Sequence, residues 1–424
     1  MEYLIVAATV ITLVVLVSVS FDKQAACRVL PVLLAAFALR LVVHVAVVRP
    51  DAVGYGGDYL GYEAMSLETA AFWQREGFQF ATSVPADHFH SVALPCYVFA
   101  VVMYLCGGPA PLACTAIVAL IACALCIVMY RFARVVGADE RPAFALLAIT
   151  AFSPMFVLCT SDTFKDGFNA FLVVGCLYLT VSNVRRFDLR KPLMTLSLFW
   201  ALWNVRAYMV FMCGVPALLG VMGSRGAAFT RALVVSAGLL LSGLFFFGYF
   251  DGGGLMDTAL GQLEFGQSEE ARRAYASQGS GVLFDDSGSA WGSLIPKLLY
   301  TLLAPFPWAD GSATLQLAKI ETLVWYFMLY SAVRGARRLW RDDRRVLLIL
   351  LLFIVPSTII YATTVANVGL IFRQRIPIVM VASLLSAVAW SKRRPPADTE
   401  EAAPRPLRTY SSNPSGSGRA AGRD

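Results

Sequence analysis

Gly56-Gly57-Asp58-Tyr59-Leu60-Gly61-Tyr62-Glu63 is the stretch from which the architecture is read. It lies within Asp51 to His90, the longest polar interruption in the first half of a chain that is otherwise a succession of apolar runs. Two glycines ahead of Asp58 permit a sharp turn. The rings of Tyr59 and Tyr62 are placed to shield the Asp58 carboxylate, and a shielded carboxylate is a better base near neutrality. The other reading of Asp58 is a cap for a helix that starts near Tyr59.

Outside this stretch the composition is that of a membrane protein. Of 424 residues 58% are hydrophobic and only 15% are charged, and the mean hydropathy is +0.65, too apolar for a soluble globule of this size. The expected fold is an all-α polytopic membrane protein. The formal net charge of +7 does not point to nucleic acid, because Lys and Arg lie mostly in short links between apolar runs, where cytoplasmic loops carry them. The first run, Tyr3 to Ser20, has neither a basic flank ahead of it nor a small-residue cleavage site, so it is expected to stay as a helix. The cysteines mostly fall inside apolar runs without the paired CxxC spacing of a metal site. No glycine-rich phosphate loop or Walker sequence is found.

About 20 apolar residues span the hydrocarbon. Runs near that length, or shorter ones that can pair, occur at 3–20, 28–49, 112–132, 143–160, 167–183, 192–205, 207–222, 231–249, 319–334, 346–365 and 375–391, giving about eleven transmembrane helices. Placing the basic links Lys23 with Arg28, Arg131 to Arg141, Arg185 to Lys191, Arg225 with Arg231, Arg334 to Arg345 and Lys392 to Arg394 in the cytoplasm puts the N-terminus and Asp51 to His90 outside and the C-terminus inside. The apolar run Val92 to Cys106 then cannot span, since it would carry Arg131 and Arg134 to the wrong face. It is short, has Pro95 near its start and ends in Cys-Gly-Gly-Pro, which suits a surface or re-entrant helix. Residues 1–394 thus form a transmembrane domain with large outer loops at about 50–110 and 251–318. Tyr62 to Arg75 is expected to form a short surface helix in the first loop, with Tyr62, Met65, Leu67 and Phe72 towards one side. Residues 395–424, rich in Pro, Ser, Gly and Arg, are expected to be a disordered cytoplasmic tail.

Charges at membrane depth are costly and usually functional. On the outer level fall Asp58, Glu63, Asp162, Lys165, Asp166, Arg206, Arg373 and Arg375, a set that suits an anionic substrate held by cations beside a carboxylate. Asp166 opens the run Gly167 to Thr180, where an acidic cap is expected. Lys165 opposes the helix dipole there, and a phosphate ligand would reconcile it. Arg206, in Trp203-Asn-Val-Arg-Ala-Tyr208 between two short helices, presents a fork suited to phosphate oxygens. Arg373 and Arg375 stand where a polar loop enters the last helix. His88 and His90, in Asp87-His-Phe-His, are a weak metal signal and fit substrate or headgroup hydrogen bonding better.

In order, an outer-loop Asp, a non-spanning run ending in Gly-Gly-Pro, a basic link after Tyr130, Ser153-Pro154 followed by Lys165-Asp166, and a basic residue between short helices resemble the GT-C superfamily of membrane glycosyltransferases. Within it the layout is most similar to protein O-mannosyltransferases and the aminoarabinose transferases of lipid A, over residues 28–222, with a weaker echo in Arg373 to Pro377. The resemblance implies transfer of a sugar from a polyprenyl-phosphate or -pyrophosphate donor to a glycan, lipid or protein acceptor, at the outer face of a bacterial inner membrane. It also implies a general base at Asp58, a second acidic residue at Asp166 and a donor-phosphate ligand at Arg206; the outer-level charges add Lys165, Arg373 and Arg375 as expected phosphate ligands, and Tyr59, Tyr62, Glu63, His88, His90 and Tyr208 are expected to line the substrate. Two departures from the pattern leave donor, acceptor and a divalent cation open: Asp58 is followed by Tyr where the mannosyltransferases have an acidic pair, and no His-Pro-Pro precedes the non-spanning run. The alternatives are a polymerase or ligase of lipid-linked oligosaccharide repeats, and a transporter or flippase of an anionic lipid-linked substrate.

Overall fold

Among the residues that the computed structural model describes, six helices are long and apolar enough to cross a membrane: Glu2–Ser20, Lys23–Val48, Pro111–Val136, Asp166–Arg185, Arg344–Thr363 and Gly369–Trp390. The chain is a multi-pass, helical membrane protein. The structure describes residues 1–52, 58–78, 92–222, 261, 263–276, 284, 289–309, 313–364 and 367–392. The expectations for 231–249, for His88 and His90, for most of the 251–318 loop and for the tail from 395 lie outside these residues.

In chain order the helices are α1 (Glu2–Ser20), α2 (Lys23–Val43, widening into a π turn at His44–Val48), α3 (Asp58–Glu76), α4 (Ala93–Cys106), α5 (Pro111–Val136) and α6 (Glu140–Phe152). They continue as α7 (Pro154–Leu158), α8 (Asp166–Arg185), α9 (Arg190–Trp203), α10 (Ala207–Met222), α11 (Glu269–Ala276), α12 (Leu294–Leu303), α13 (Ala313–Asp342), α14 (Arg344–Thr363) and α15 (Val368–Trp390). The buried centre is shared by α5, α8 and α15: α5 packs on α1, α2, α6, α8 and α15, and α8 packs also on α9 and α10. Small residues on α5, including Ala113, Ala116, Ala119, Ala122 and Cys126, are almost wholly buried and let neighbouring backbones approach.

Several expected runs take a different form. The run 143–160 is two helices, because Pro154 lacks an N–H and disfavours helical backbone at Ser153, which sits at ψ 120°. The run 319–334 lies inside the 30-residue α13. Arg373 and Arg375 belong to α15 itself, since Asn367 caps that helix by accepting from the Gly369 N–H at 2.8 Å and so starts it ahead of them. The surface helix is longer than Tyr62 to Arg75, running 58–76, and its buried residues are Tyr59, Ser66, Thr69, Ala70 and Trp73. Tyr62 and Met65 pack on a small cluster formed by Val92, Ala93 and Cys96, whereas Leu67 is exposed. α4, at 14 residues, falls short of the roughly 20 that cross a membrane; it ends at Gly107 in the left-handed conformation and lies against α3.

The basic links meet at one end of the bundle. Arg131 donates to the Ser20 carbonyl at 2.7 Å, Arg28 faces Glu140 at 3.5 Å, Arg185 pairs with Asp343 at 3.0 Å, and Arg338 donates to the carbonyls of Val388 and Ser391. These contacts join separate links at one face of the bundle. The starts of α3, α8, α10 and α15 gather at the other end.

One packing contact sets the spacing of the last helices. At Gly335 on α13 an added Cβ would lie 1.8 Å from the Leu385 carbonyl oxygen on α15, so backbone would have to move. Gly335→Ala is expected to destabilise the fold by about 1–3 kcal/mol, the usual cost of overpacking. A lowered thermal midpoint in a nanodisc, compared with Gly61→Ala where nothing lies within 4 Å, checks it.

Candidate functional site

The carboxylate of Asp166 opens α8 and is almost wholly buried, with 1% of the residue exposed. It is held from both sides. Arg206, from the turn between α9 and α10, brings Nη2 to Oδ1 at 3.1 Å, and Arg373, from the second turn of α15, brings Nε to Oδ2 at 2.9 Å. A buried ion left alone is prohibitively costly, so each of the three groups depends on the others. Arg373 also reaches outward, with Nη1 2.6 Å from Oδ2 of Asp58 in the first turn of α3. Remote segments are thereby tied in one line: Asp58, Arg373, Asp166, Arg206.

Asp58 is not shielded by its neighbouring tyrosines. Its side chain is 55% exposed, because Tyr59 turns inward onto Phe164, with ring centroids 5.7 Å apart, and Tyr62 turns towards Lys165. Oδ2 of Asp58 is occupied by Arg373, and Oδ1 makes no hydrogen bond among the described residues.

Beside Asp166, Lys165 has no carboxylate in contact among the described residues. Its Nζ lies 5.8 Å from the centre of the Tyr62 ring and makes no hydrogen bond among the described residues. Burial first, then the guanidinium groups of Arg206 and Arg373, lower its ammonium to about 8, with Asp166 and Asp58 opposing. For Arg206, burial works against the charge but Tyr208, Tyr361 and Asp166 outweigh it and hold it firmly protonated. Tyr208 accepts from Arg206 at 3.4 Å and packs edge-on against Tyr361.

A second ionic group lies directly beside the first. Asp162, fully buried, accepts from Arg49 at 2.8 Å and from the Thr163 N–H at 2.7 Å, and its other oxygen is 3.3 Å from Nδ1 of His44. Arg49 also pairs with Glu63, and the Thr163 hydroxyl donates to Glu63 at 3.1 Å. This group fastens the end of α2 and the face of α3 to the turn before α8. Arg49 and His44 are the members that the sequence did not mark as part of a site. Arg49 sits beside Pro50 at the end of a span, where a snorkelling cation is ordinary, and only its contact with two acids marks it out.

Of the residues singled out in the sequence, Asp58, Tyr59, Tyr62, Glu63, Lys165, Asp166, Arg206, Tyr208 and Arg373 are brought together at this end. Arg375 is not. It is buried, donates to the carbonyl of Ala304 at 2.7 Å and stacks on Phe372 at 4.3 Å, so that it fastens the end of α12. Among the described residues no group of three or more His, Cys, Asp or Glu side chains could hold a metal ion: guanidinium groups occupy both Asp166 oxygens and one of Asp58.

No protein-family model and no curated protein matches the chain. Among solved structures, the apo oligosaccharyltransferase of Archaeoglobus fulgidus superposes with a TM-score of 0.52 at 16% identity, covering 85% of this chain and 50% of that one. The archaeal oligosaccharyltransferase AglB from the same organism, in complex with an inhibitory peptide and a dolichol-phosphate, gives a TM-score of 0.48 at 14% identity, over 87% of this chain and 50% of that one. The chain therefore spans about half the length of these proteins. The fold is the GT-C fold.

Because the Lys165 ammonium is lowered to about 8 from its ordinary value near 10.5, keeping it charged in the folded protein at neutral pH costs stability. Between about pH 8 and pH 10.5 the unfolded chain binds the extra proton and folding strengthens as pH rises. Lys165→Met is expected to raise the thermal midpoint at pH 7, with the difference shrinking from pH 8 upward and vanishing near pH 10.5. Thermal scans of both proteins across that range check it.

Proposed function

We propose that the protein is a GT-C glycosyltransferase that moves a sugar from a polyprenyl-phosphate or -pyrophosphate donor to an acceptor hydroxyl at the outer face of the membrane. The observation that carries this reading is the pairing, at one end of the bundle, of a half-exposed carboxylate, Asp58, with an oxygen that takes no hydrogen bond among the described residues, and a half-buried ammonium, Lys165, with no acid in contact among them. Arg206 and Arg373 are by contrast neutralised in place by Asp166, and the buried Arg375 spends its donors on backbone carbonyls. Lys165 instead leaves a positive charge available for a phosphate, and Asp58 leaves an acceptor for a proton.

In the proposed reaction Asp58 takes the proton of the acceptor hydroxyl, whose oxygen attacks the anomeric carbon from the side opposite the lipid phosphate, inverting the configuration. The bond between that carbon and the phosphate oxygen breaks, and the phosphate leaves with the electron pair. Lys165, with Arg206 and Arg373 behind it, neutralises the charge that develops on the leaving oxygen. Such preorganised cations act most strongly where water is scarce. Arg373 also bridges Asp58 and Asp166, and so fixes the distance between the base and the anion site.

The basic end of the bundle supports a cytoplasmic assignment for the links at Arg131, Arg185 and Arg338, which puts the carboxylate end outside and the N-terminus with it. The name of the archaeal neighbour, an oligosaccharyltransferase, supports a lipid-linked glycan as donor and keeps transfer of an oligosaccharide beside transfer of a single sugar. A bacterial inner membrane and a role in cell-envelope glycan assembly complete the reading.

Asp58→Asn keeps the shape of the side chain and removes the base. It is expected to lower sugar transfer at least a thousand-fold while donor binding changes less than threefold, measured with a radiolabelled polyprenyl-linked sugar on purified protein. Turnover within tenfold of the parent would remove Asp58 from the mechanism.

A further inference from the structure

Arg40 lies in the membrane-spanning part of α2 with none of its surface exposed. Among the described residues no carboxylate touches it. Its guanidinium donates from Nη1 to the carbonyls of Ala36 and Ala151 at 2.9 and 3.1 Å and from Nε to the hydroxyl of Thr160 at 2.7 Å. It lies over the Phe156 ring at 5.2 Å, and Nη2 is left without a hydrogen bond. A buried cation with an unused donor is an expensive way to stabilise a helix bundle, and an ionisable group inside a span is by default functional.

Its partners define what it does. Ala151 lies in the last turn of α6, just ahead of the break, and Thr160 just past the far end of the short α7. In an unbroken helix the Ala151 carbonyl would accept from the Met155 N–H. Here that N–H goes instead to Oε2 of Glu321 on α13, at 2.6 Å, and the Ser153 hydroxyl donates to Oε1 of the same carboxylate at 2.9 Å. One half-buried acid takes the donor released by the break, and one buried cation takes the acceptor. The positive start of the short helix faces the acid, as its dipole favours.

The break is linked to the site by contact. Thr160, held by Arg40, donates in turn to the Phe156 carbonyl. Its Cγ2 lies 3.0 Å from where a Cβ on Gly167 would be, so the first turn of α8 presses directly on it. Gly167 follows Lys165 and Asp166 in sequence. Between Thr160 and Gly167 runs the buried turn that carries Asp162.

We propose that Arg40 and Glu321 are positioning residues, a cation and an anion that hold open the broken helix and thereby fix the turn bearing Asp162, Lys165 and Asp166. Neither touches the anion site. The inference rests on the reading of Lys165 and Asp166 as parts of a transfer site, and its test has a readout independent of transfer.

The test uses full-length protein in nanodiscs, with Arg40→Gln, Arg40→Lys and Glu321→Gln, and reads amide hydrogen exchange together with turnover per folded molecule. The expected result is exchange raised at least tenfold across 155–167 in Arg40→Gln and Glu321→Gln, with α1 and α5 unchanged. Turnover is expected to fall at least tenfold, with Arg40→Lys retaining more than Arg40→Gln because it keeps a charged donor. If Arg40→Gln does not fold, Thr160→Ala removes the same hydrogen bond without touching the charge and is read by the same criteria. Exchange that is unchanged in 155–167, or raised equally throughout, overturns the proposal, as does full turnover per folded molecule with the segment loosened. A parent protein that transfers no sugar contradicts the transfer reading alone, and the exchange data then decide the clamp.

Discussion

A carboxylate buried at the end of a membrane bundle has to be neutralised, and Asp166 is neutralised twice, by Arg206 and by Arg373. The architecture of this end follows from that constraint. Arg206 can reach only if α9 and α10 meet in a tight turn, and Arg373 only if α15 begins ahead of it. With one guanidinium shared between Asp166 and Asp58, α3 is fixed over the same point. Removing any member would leave an uncompensated buried charge, at about 3–5 kcal/mol for a buried pair, so the site and the packing of the helices that meet there are one structure.

Lys165 departs from this pattern. Around it the acids already have cations: Asp162 and Glu63 share Arg49, and Asp166 has its two guanidinium groups. Lys165 therefore retains a positive charge against a desolvation cost that lowers its ammonium. Groups kept at such a cost, in a place where a neutral side chain would be more stable, are candidates for function. The broken helix before it belongs to the same logic, since Arg40 and Glu321 are spent on two backbone groups that a continuous helix would have satisfied by itself.

Membrane class, the shortness of α4, and the convergence of Asp58, Lys165, Asp166, Arg206 and Arg373 were legible in the sequence because each follows from a local rule: apolar run length, the distribution of Lys and Arg, and the cost of charge at membrane depth. What was not legible depends on contacts between distant segments. Nothing in Phe372-Arg-Gln-Arg tells which arginine turns to the site, because a helix sends residues two apart to nearly opposite faces, and the register is set by the Asn367 cap. The exposure of Asp58 depended on Tyr59 finding Phe164, far along the chain. Arg49 reads as an ordinary interfacial cation until Asp162 is placed beside it. Ser153-Pro154 was visible as a break, but not the ions that complete it.

The central claim is that Lys165 holds the phosphate of a polyprenyl lipid at the Asp58–Arg373–Asp166 site. The most direct measurement is native mass spectrometry of the full-length protein after mild detergent extraction, comparing the parent with Lys165→Met. A bound polyprenyl phosphate or polyprenyl-linked sugar is expected on the parent, reduced at least tenfold in the variant. Absence of any such lipid from the parent, or equal retention by both proteins, would contradict the claim.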